Sequence, residues 1–126
     1  CGVETGGRVT VQVDVVKNHP IPWPLVETGD RWIAIASREN VDEACQKAAD
    51  QMFTFLTVEA GLSKLDTGML IDMLGNLVVC QIVNPQKTVR LEMPKWPLEK
   101  LGFYGFADQE SITRTRGLKG EQEVRP

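Results

Sequence analysis

The chain has 126 residues, of which 42% are hydrophobic and 25% are charged, the balance of an ordinary globular protein. Its net charge of −3 argues against a nucleic-acid partner, because no basic stripe is available to neutralise phosphates. Apolar runs such as residues 77–80 are too short to cross a bilayer, and we expect no signal peptide at this opening. One domain with a core of modest size and no membrane partner is expected.

The cysteines, Cys1, Cys45 and Cys80, lie far apart and show no C-x-x-C spacing. This arrangement predicts neither a zinc knuckle nor a redox pair. Cys45 and Cys80 fall within apolar patterns, so we predict that both are buried thiols that act as small hydrophobic side chains. Sparse cysteines are typical of a reducing compartment, and we expect a cytoplasmic protein.

The first strand is predicted at residues 8–16 (RVTVQVDVV), where valines alternate with polar residues after a Gly-Gly turn. Prolines at 20, 22 and 24 then favour an extended loop, because proline fixes its backbone and lacks an amide hydrogen. Residues 31–37 (RWIAIAS) predict the second strand.

Two helices are predicted next. Asn40 and Glu43 form a capping-box pattern, and apolar residues then recur at helical spacing to about Glu59. Ser63 begins the same pattern for a second helix, which the Gly75-Asn76 pair closes.

The last two strands complete the predicted order. Residues 77–83 (LVVCQIV) are almost continuously apolar, as expected of a central strand, and residues 88–93 alternate and should pair near it. The order is β-β-α-α-β-β, an α+β fold with two helices packed on one face of a sheet. We assign this domain to residues 1–106 and predict that residues 107–126 form a polar tail or an inter-subunit arm.

Several segments resemble the acetamidase/formamidase family, in the same order and spacing. The opening CGVETGGRVTVQVDV is similar to the family's C-G-x-x-E segment and its strand, and PWPLVETGDRWIAIAS resembles its Pro-x-x-E-T segment. A similar helix–helix–strand unit ends in the C-Q-I-V-N-P and T-V-R signatures. The resemblance implies the C-terminal portion of a larger fold, in an amidase that hydrolyses a small carboxamide to a carboxylate and ammonia.

The resemblance also implies a partner. The family's His- and Asp-rich metal-binding segments lie upstream of residue 1, so we assign no metal ligand to this chain, and a divalent metal would be bound mainly by that upstream portion. We expect the upstream portion of the enzyme as a separate chain. Homo- or hetero-oligomerisation is also expected, because exposed strand edges need cover. Asn76 stands where many relatives carry aspartate, which argues against a ligand role there.

Amide hydrolysis needs an activated nucleophile and a proton donor for the leaving nitrogen. Cys1 is the candidate nucleophile, because its α-amino group, with a pKa near ~7.7–8.0, could serve as the base for a thiol with a pKa near ~8.5. Self-cleavage that exposes Cys1 would make the protein an N-terminal nucleophile hydrolase. A trimmed sequence or proteolysis explains Cys1 without chemistry.

Three further residues are candidates. By resemblance, Glu4 matches the glutamate of the C-G-x-x-E segment, as a catalytic base or a metal neighbour, and the alternative is a solvated turn residue. Glu27 and His19, the one histidine in the chain, are candidate substrate-binding residues. Hairpin chemistry in the E-T-G-D turn and a surface loop are their respective alternatives.

The alternative function is a non-catalytic accessory or assembly subunit of a metal-dependent amidase whose site lies on the upstream portion. In that case the tryptophans Trp23, Trp32 and Trp96 would serve as interface anchors.

Overall fold

The computed structural model describes residues 4–13, 15, 17 and 20–106. Within this part of the chain, no helix is long and apolar enough to cross a membrane. The helices and strands are β1 (Leu25–Glu27), β2 (Arg31–Arg38), α1 (Val41–Val58), α2 (Lys64–Leu74), β3 (Asn76–Gln81), β4 (Lys87–Pro94) and α3 (Trp96–Lys100).

The strands form one antiparallel sheet in the order β1-β2-β4-β3. The central pair is β2 and β4, which are in register from Arg31 opposite Pro94 to Arg38 opposite Lys87. Helix α1 packs on these two strands, and α2 packs on α1 and β4. The predicted α+β fold is therefore confirmed, with α3 as a short addition after the last strand.

The capping patterns define the helix starts as predicted. The Asn40 side chain accepts a hydrogen bond from the Glu43 amide at 2.8 Å, and Ser63 accepts one from the Asp66 amide at 3.1 Å. Each cap satisfies an amide that the first turn of a helix leaves without a partner. Gly61 takes φ +69° between the helices, a backbone conformation that glycine adopts without steric cost.

The predicted first strand is wrong. Residues 8–13 and 15 form no strand, and their valines are exposed, Val9 by 86% and Val13 by 84%. The first strand is Leu25–Glu27 instead, immediately after the prolines, and the Ile35 amide extends its pairing by donating to the carbonyl oxygen of Pro24. Alternating apolar and polar residues indicate a segment with one apolar face, but a strand also needs a neighbouring strand to pair with, which this pattern does not predict.

The prediction of a central third strand is also wrong. Strand β3 pairs with β4 at the edge of the sheet, and Leu77 and Val79 are about half exposed. Cys80 is exposed and Cys45 is half-buried, so the predicted burial of both thiols is not observed. An apolar run predicts that its side chains are buried against other residues, but no other element of the described chain packs over these side chains.

The core lies between α1 and the two central strands. Larger side chains fill the space at the C-terminal end of α1, and small ones let the helix approach the sheet closely elsewhere. The small buried residues are Ala34, Ala36, Ala44 and Ala48. The aromatic rings at the C-terminal end of α1 lie 4.9–6.4 Å apart, centroid to centroid, in tilted or edge-on geometry. This aromatic cluster consists of Trp32, Phe55, Phe103 and Phe106.

Candidate functional site

One of the sequence-predicted site residues, Glu27, takes part in a charged pair with a residue distant in sequence. Glu27 ends β1, and its Oε1 accepts a hydrogen bond from Lys95 Nζ at 2.6 Å. Lys95 follows β4 directly, and its backbone amide donates to the Asp30 carbonyl oxygen at 2.8 Å. The sheet therefore brings these two residues together although 68 positions separate them.

The turn after Glu27 also shows the hairpin chemistry that the sequence suggested as the alternative. The Thr28 hydroxyl donates to Asp30 Oδ1 at 3.0 Å and accepts from the Arg31 amide at 3.0 Å. Side-chain bonds of this kind fix a tight turn locally. The turn fixes the position of Asp30. The Asp30 carbonyl oxygen accepts from the Lys95 amide and so places the Lys95 backbone beside the Glu27 carboxylate.

The pair is seated on the aromatic cluster. Lys95 Nζ lies 5.2 Å from the centroid of the Trp32 ring, and Trp32 itself is 2% exposed. Gly105, with φ +114°, closes the other side, where an added Cβ would lie 3.3 Å from Glu27 Oε1 and 3.4 Å from Trp32 Cζ2. We call Glu27, Lys95, Trp32 and Gly105 the Glu27–Lys95 site.

The two residues of the pair differ in exposure. The Lys95 side chain is 13% exposed, whereas the Glu27 side chain is 44% exposed. The ammonium group has Glu27 as its described acceptor, although an ammonium can donate three hydrogen bonds. The site therefore presents a hydrogen-bond donor and an acceptor side by side at the surface.

Of the other predicted site residues, Glu4 is the one that the structure describes. Cys1 and His19 lie outside the described residues. Glu4 is described and exposed, and no hydrogen bond or ion pair between described residues links it to Glu27. The assembly of these four residues into one site stays a prediction.

A second charged group lies on the sheet face opposite α1, and the sequence interpretation missed it. Glu92 accepts from Arg90 Nε at 2.6 Å, from Arg31 Nη1 at 3.3 Å and from Asn76 Nδ2 at 3.5 Å. The hydrogen bond from Arg90, aided by Asn76 and by the charges of the two arginines, lowers the pKa of the Glu92 carboxyl below its ordinary value. Arg90 and Glu92 share a face because they are two positions apart on one strand, a spacing visible in the sequence.

Two cavities flank Trp23 in the proline-rich loop. One, of about 410 Å³, lies between this loop, the end of β2 and the Gln51 side of α1. The other, of about 150 Å³, is largely apolar and is bordered by Phe55 and Val58. Trp23 Nε1 and Gln51 Oε1 are buried and have no hydrogen-bond partner within the described part of the chain. Among the described residues, no group of three or more His, Cys, Asp or Glu side chains could hold a metal ion.

The similarity of this chain to known proteins is found among solved structures. No family model matches the chain, and no curated protein matches it. Solved structures do. The acetamidase from Bacillus halodurans is 41% identical over 66% of the chain, with a TM-score of 0.62. The chain belongs to the acetamidase/formamidase family.

Two further structures agree with this assignment. A predicted acetamidase/formamidase from the thermophile Thermoanaerobacter tengcongensis is 32% identical over 69% of the chain, with a TM-score of 0.64. The acetamidase from Yersinia enterocolitica is 25% identical over 66%, with a TM-score of 0.63. This acetamidase/formamidase-family chain spans 25–29% of the length of the three proteins.

Proposed function

We propose that this chain is part of an amidase that hydrolyses the C–N bond of a small carboxamide to a carboxylate and ammonia. The observation that carries the proposal is the 41% identity to the Bacillus halodurans acetamidase, together with the shared fold. Two other neighbours named as acetamidase or acetamidase/formamidase support the same reaction class. The substrate is a short, neutral amide such as formamide or acetamide.

The proposal includes a separate chain that supplies the upstream portion of the enzyme, with further homo- or hetero-oligomerisation. Support comes from apolar side chains that no described element covers. On α2, Leu65, Met69 and Met73 lie four residues apart on one stripe and are exposed by 72%, 46% and 70%. Exposed apolar stripes of this kind are typical of protein–protein contacts. We call these three residues the α2 stripe.

In the proposed mechanism, Cys1 is the nucleophile that self-cleavage exposes. Its thiolate attacks the amide carbonyl carbon, the C–N bond breaks, and the nitrogen leaves as ammonia after it has gained a proton. Water then hydrolyses the thioester, which releases the carboxylate and restores the thiol. Glu4 serves as the base that activates this water, and Glu27 and His19 bind the substrate. The free, exposed Cys80 thiol fits a reducing compartment, for which we propose the cytoplasm.

Mass spectrometry and an ammonia-release assay test these steps separately. A gene that encodes the chain with its upstream portion should yield two chains, the second beginning at Cys1, and they should hydrolyse acetamide together. Cys1→Ala should abolish both cleavage and turnover. A single uncut chain that still hydrolyses acetamide contradicts the self-cleavage step and leaves the amidase proposal intact.

The second candidate is a non-catalytic accessory subunit of a metal-dependent amidase, and the exposed α2 stripe supports it as an assembly surface, as it does the first proposal. In that case the upstream portion alone should hydrolyse acetamide, and adding this chain should change its assembly state but not its turnover number. Activity that requires both portions excludes this candidate.

A further inference from the structure

The Glu27–Lys95 site has hydrogen-bonding capacity that its own ion pair does not use. One carboxylate oxygen of Glu27 accepts from Lys95 Nζ, and its other oxygen has no partner among the described residues. Lys95 Nζ likewise retains donors beyond the one that it gives to Glu27. Because Glu27 is 44% exposed, a small molecule can reach this edge of the site from solvent.

The arrangement of donor and acceptor matches one chemical class. A primary carboxamide carries a carbonyl oxygen that accepts and, directly beside it, an NH₂ group that donates. Lys95 Nζ can donate to such an oxygen while the unused oxygen of Glu27 accepts from the nitrogen. A carboxylate has no hydrogen to donate to Glu27, and the Glu27 charge offsets the attraction that Lys95 would exert on it. A tertiary amide keeps the carbonyl oxygen and lacks the N–H.

The surrounding residues keep this arrangement fixed. The Lys95 stem is largely buried, Trp32 lies beneath its ammonium, and the Asp30 carbonyl holds its backbone. Gly105 lets the backbone lie close to Glu27 Oε1, the oxygen that accepts from Lys95, since an added Cβ would come within 3.3 Å of it. A donor and an acceptor that are held in place before binding cost less conformational entropy when a ligand arrives.

We propose that Lys95 and Glu27 form a two-point binding site for the carboxamide group of a small primary amide, with Lys95 on the oxygen and Glu27 on the nitrogen. This inference rests on the proposed amidase function and extends it, because it adds Lys95 as a specificity-determining residue. The site selects a neutral amide over the carboxylate product, so it also favours product release.

The test is a titration of the full chain with each compound, in which ¹H–¹⁵N NMR monitors the Gly105 amide and the Trp32 indole signals. Acetamide should shift both signals saturably, and N,N-dimethylacetamide and acetate should each bind about ten-fold more weakly, the size of one lost hydrogen bond to a charged group. Equal responses to the three compounds, or no saturable response to acetamide, overturn the proposal, and this comparison needs no variant.

Variants assign the two roles. Lys95→Met should weaken acetamide binding about ten-fold and Lys95→Arg should retain most of it. The matched control is Lys100→Met, because Lys100 Nζ also lies over a tryptophan, 5.1 Å from the Trp96 ring, and is not at the site. Glu27→Gln should raise acetate affinity toward that of acetamide, since the repelling charge is gone. Unchanged acetamide affinity in Lys95→Met contradicts the proposal.

Failure of this inference is distinguishable from failure of the proposed function. If the two-chain protein releases ammonia from acetamide and Lys95→Met leaves its KM unchanged, the binding site is wrong and the amidase proposal stands. If acetamide binds selectively at Lys95 but no amide is hydrolysed, the binding site stands and the amidase proposal fails.

Discussion

Gly105 lies close to Glu27 and Trp32, and these distances set the loss of stability expected when Gly105 is substituted. Gly105→Ala adds a Cβ 3.3 Å from Glu27 Oε1 and 3.4 Å from Trp32 Cζ2, at a backbone φ of +114°. The positive φ alone costs roughly 1–2 kcal/mol for an L-residue. The crowding adds about 1–3 kcal/mol, because the buried Trp32 ring cannot move away freely. We expect a total loss of about 2–4 kcal/mol in the free energy of unfolding, allowing for overlap between these effects.

Gly102→Ala is the matched control for this measurement. Gly102 also has a positive φ, +89°, but nothing lies within 4 Å of an added Cβ. Its substitution should therefore show the backbone cost without the crowding, and in both variants the stiffer unfolded chain offsets about 0.4–1 kcal/mol of the loss. Urea unfolding monitored by tryptophan fluorescence measures both variants. Equal losses in the two variants would refute the tight approach of Gly105 to Glu27 and Trp32.

Three further predictions concern the helix cap, the open sheet face and the α2 stripe. Asn40→Ala should lower the unfolding free energy by about 1 kcal/mol in thermal denaturation, because the Glu43 amide loses its acceptor. The wild type should be more stable than Glu92→Gln at pH values above the unfolded carboxyl pKa of ~4.3. This difference should disappear as the pH falls through the lower pKa of the folded state, which urea titrations at several pH values measure. Met73→Glu should weaken association with the upstream portion in sedimentation experiments, with little effect on the stability of the isolated chain, because Met73 is 70% exposed.

Each of these three has a clear contradicting outcome. An unchanged melting temperature in Asn40→Ala would show that the cap contributes nothing to the stability of α1. For Glu92, the sign follows from linkage, since a carboxyl whose pKa is lowered by folding stabilises the protein only while it is ionised. A difference between wild type and Glu92→Gln that grows toward acid would contradict that sign. Full association of Met73→Glu would exclude the α2 stripe from the interface.

Helices α1 and α2 were predictable because their signals are local. Asn40 and Ser63 each bond to an amide three residues ahead, so the sequence contains both members of the pair within one turn. The pairing of β4 with β3 was predicted from their patterns, and the position of the helices on one face from the order of the elements, whereas the pairing of β4 with β2 was not predicted.

The errors arose where the outcome depends on distant residues. The valines of residues 8–13 alternate as those of a strand do, but no described strand pairs with them. The Glu27–Lys95 pair joins residues 68 positions apart, so Glu27 was a candidate from the sequence while its partner was not. Glu92 was missed for a similar reason, since Arg31 reaches it from a different strand across 61 positions.

The central claim is that this chain is part of an amidase and needs its upstream portion for turnover. The most direct measurement is ammonia release from acetamide by the purified chain, by the upstream portion, and by the two combined at equal concentration. We predict release by the combination and none by either portion alone. Absence of release by the combination, across formamide, acetamide and longer primary amides, would contradict the claim.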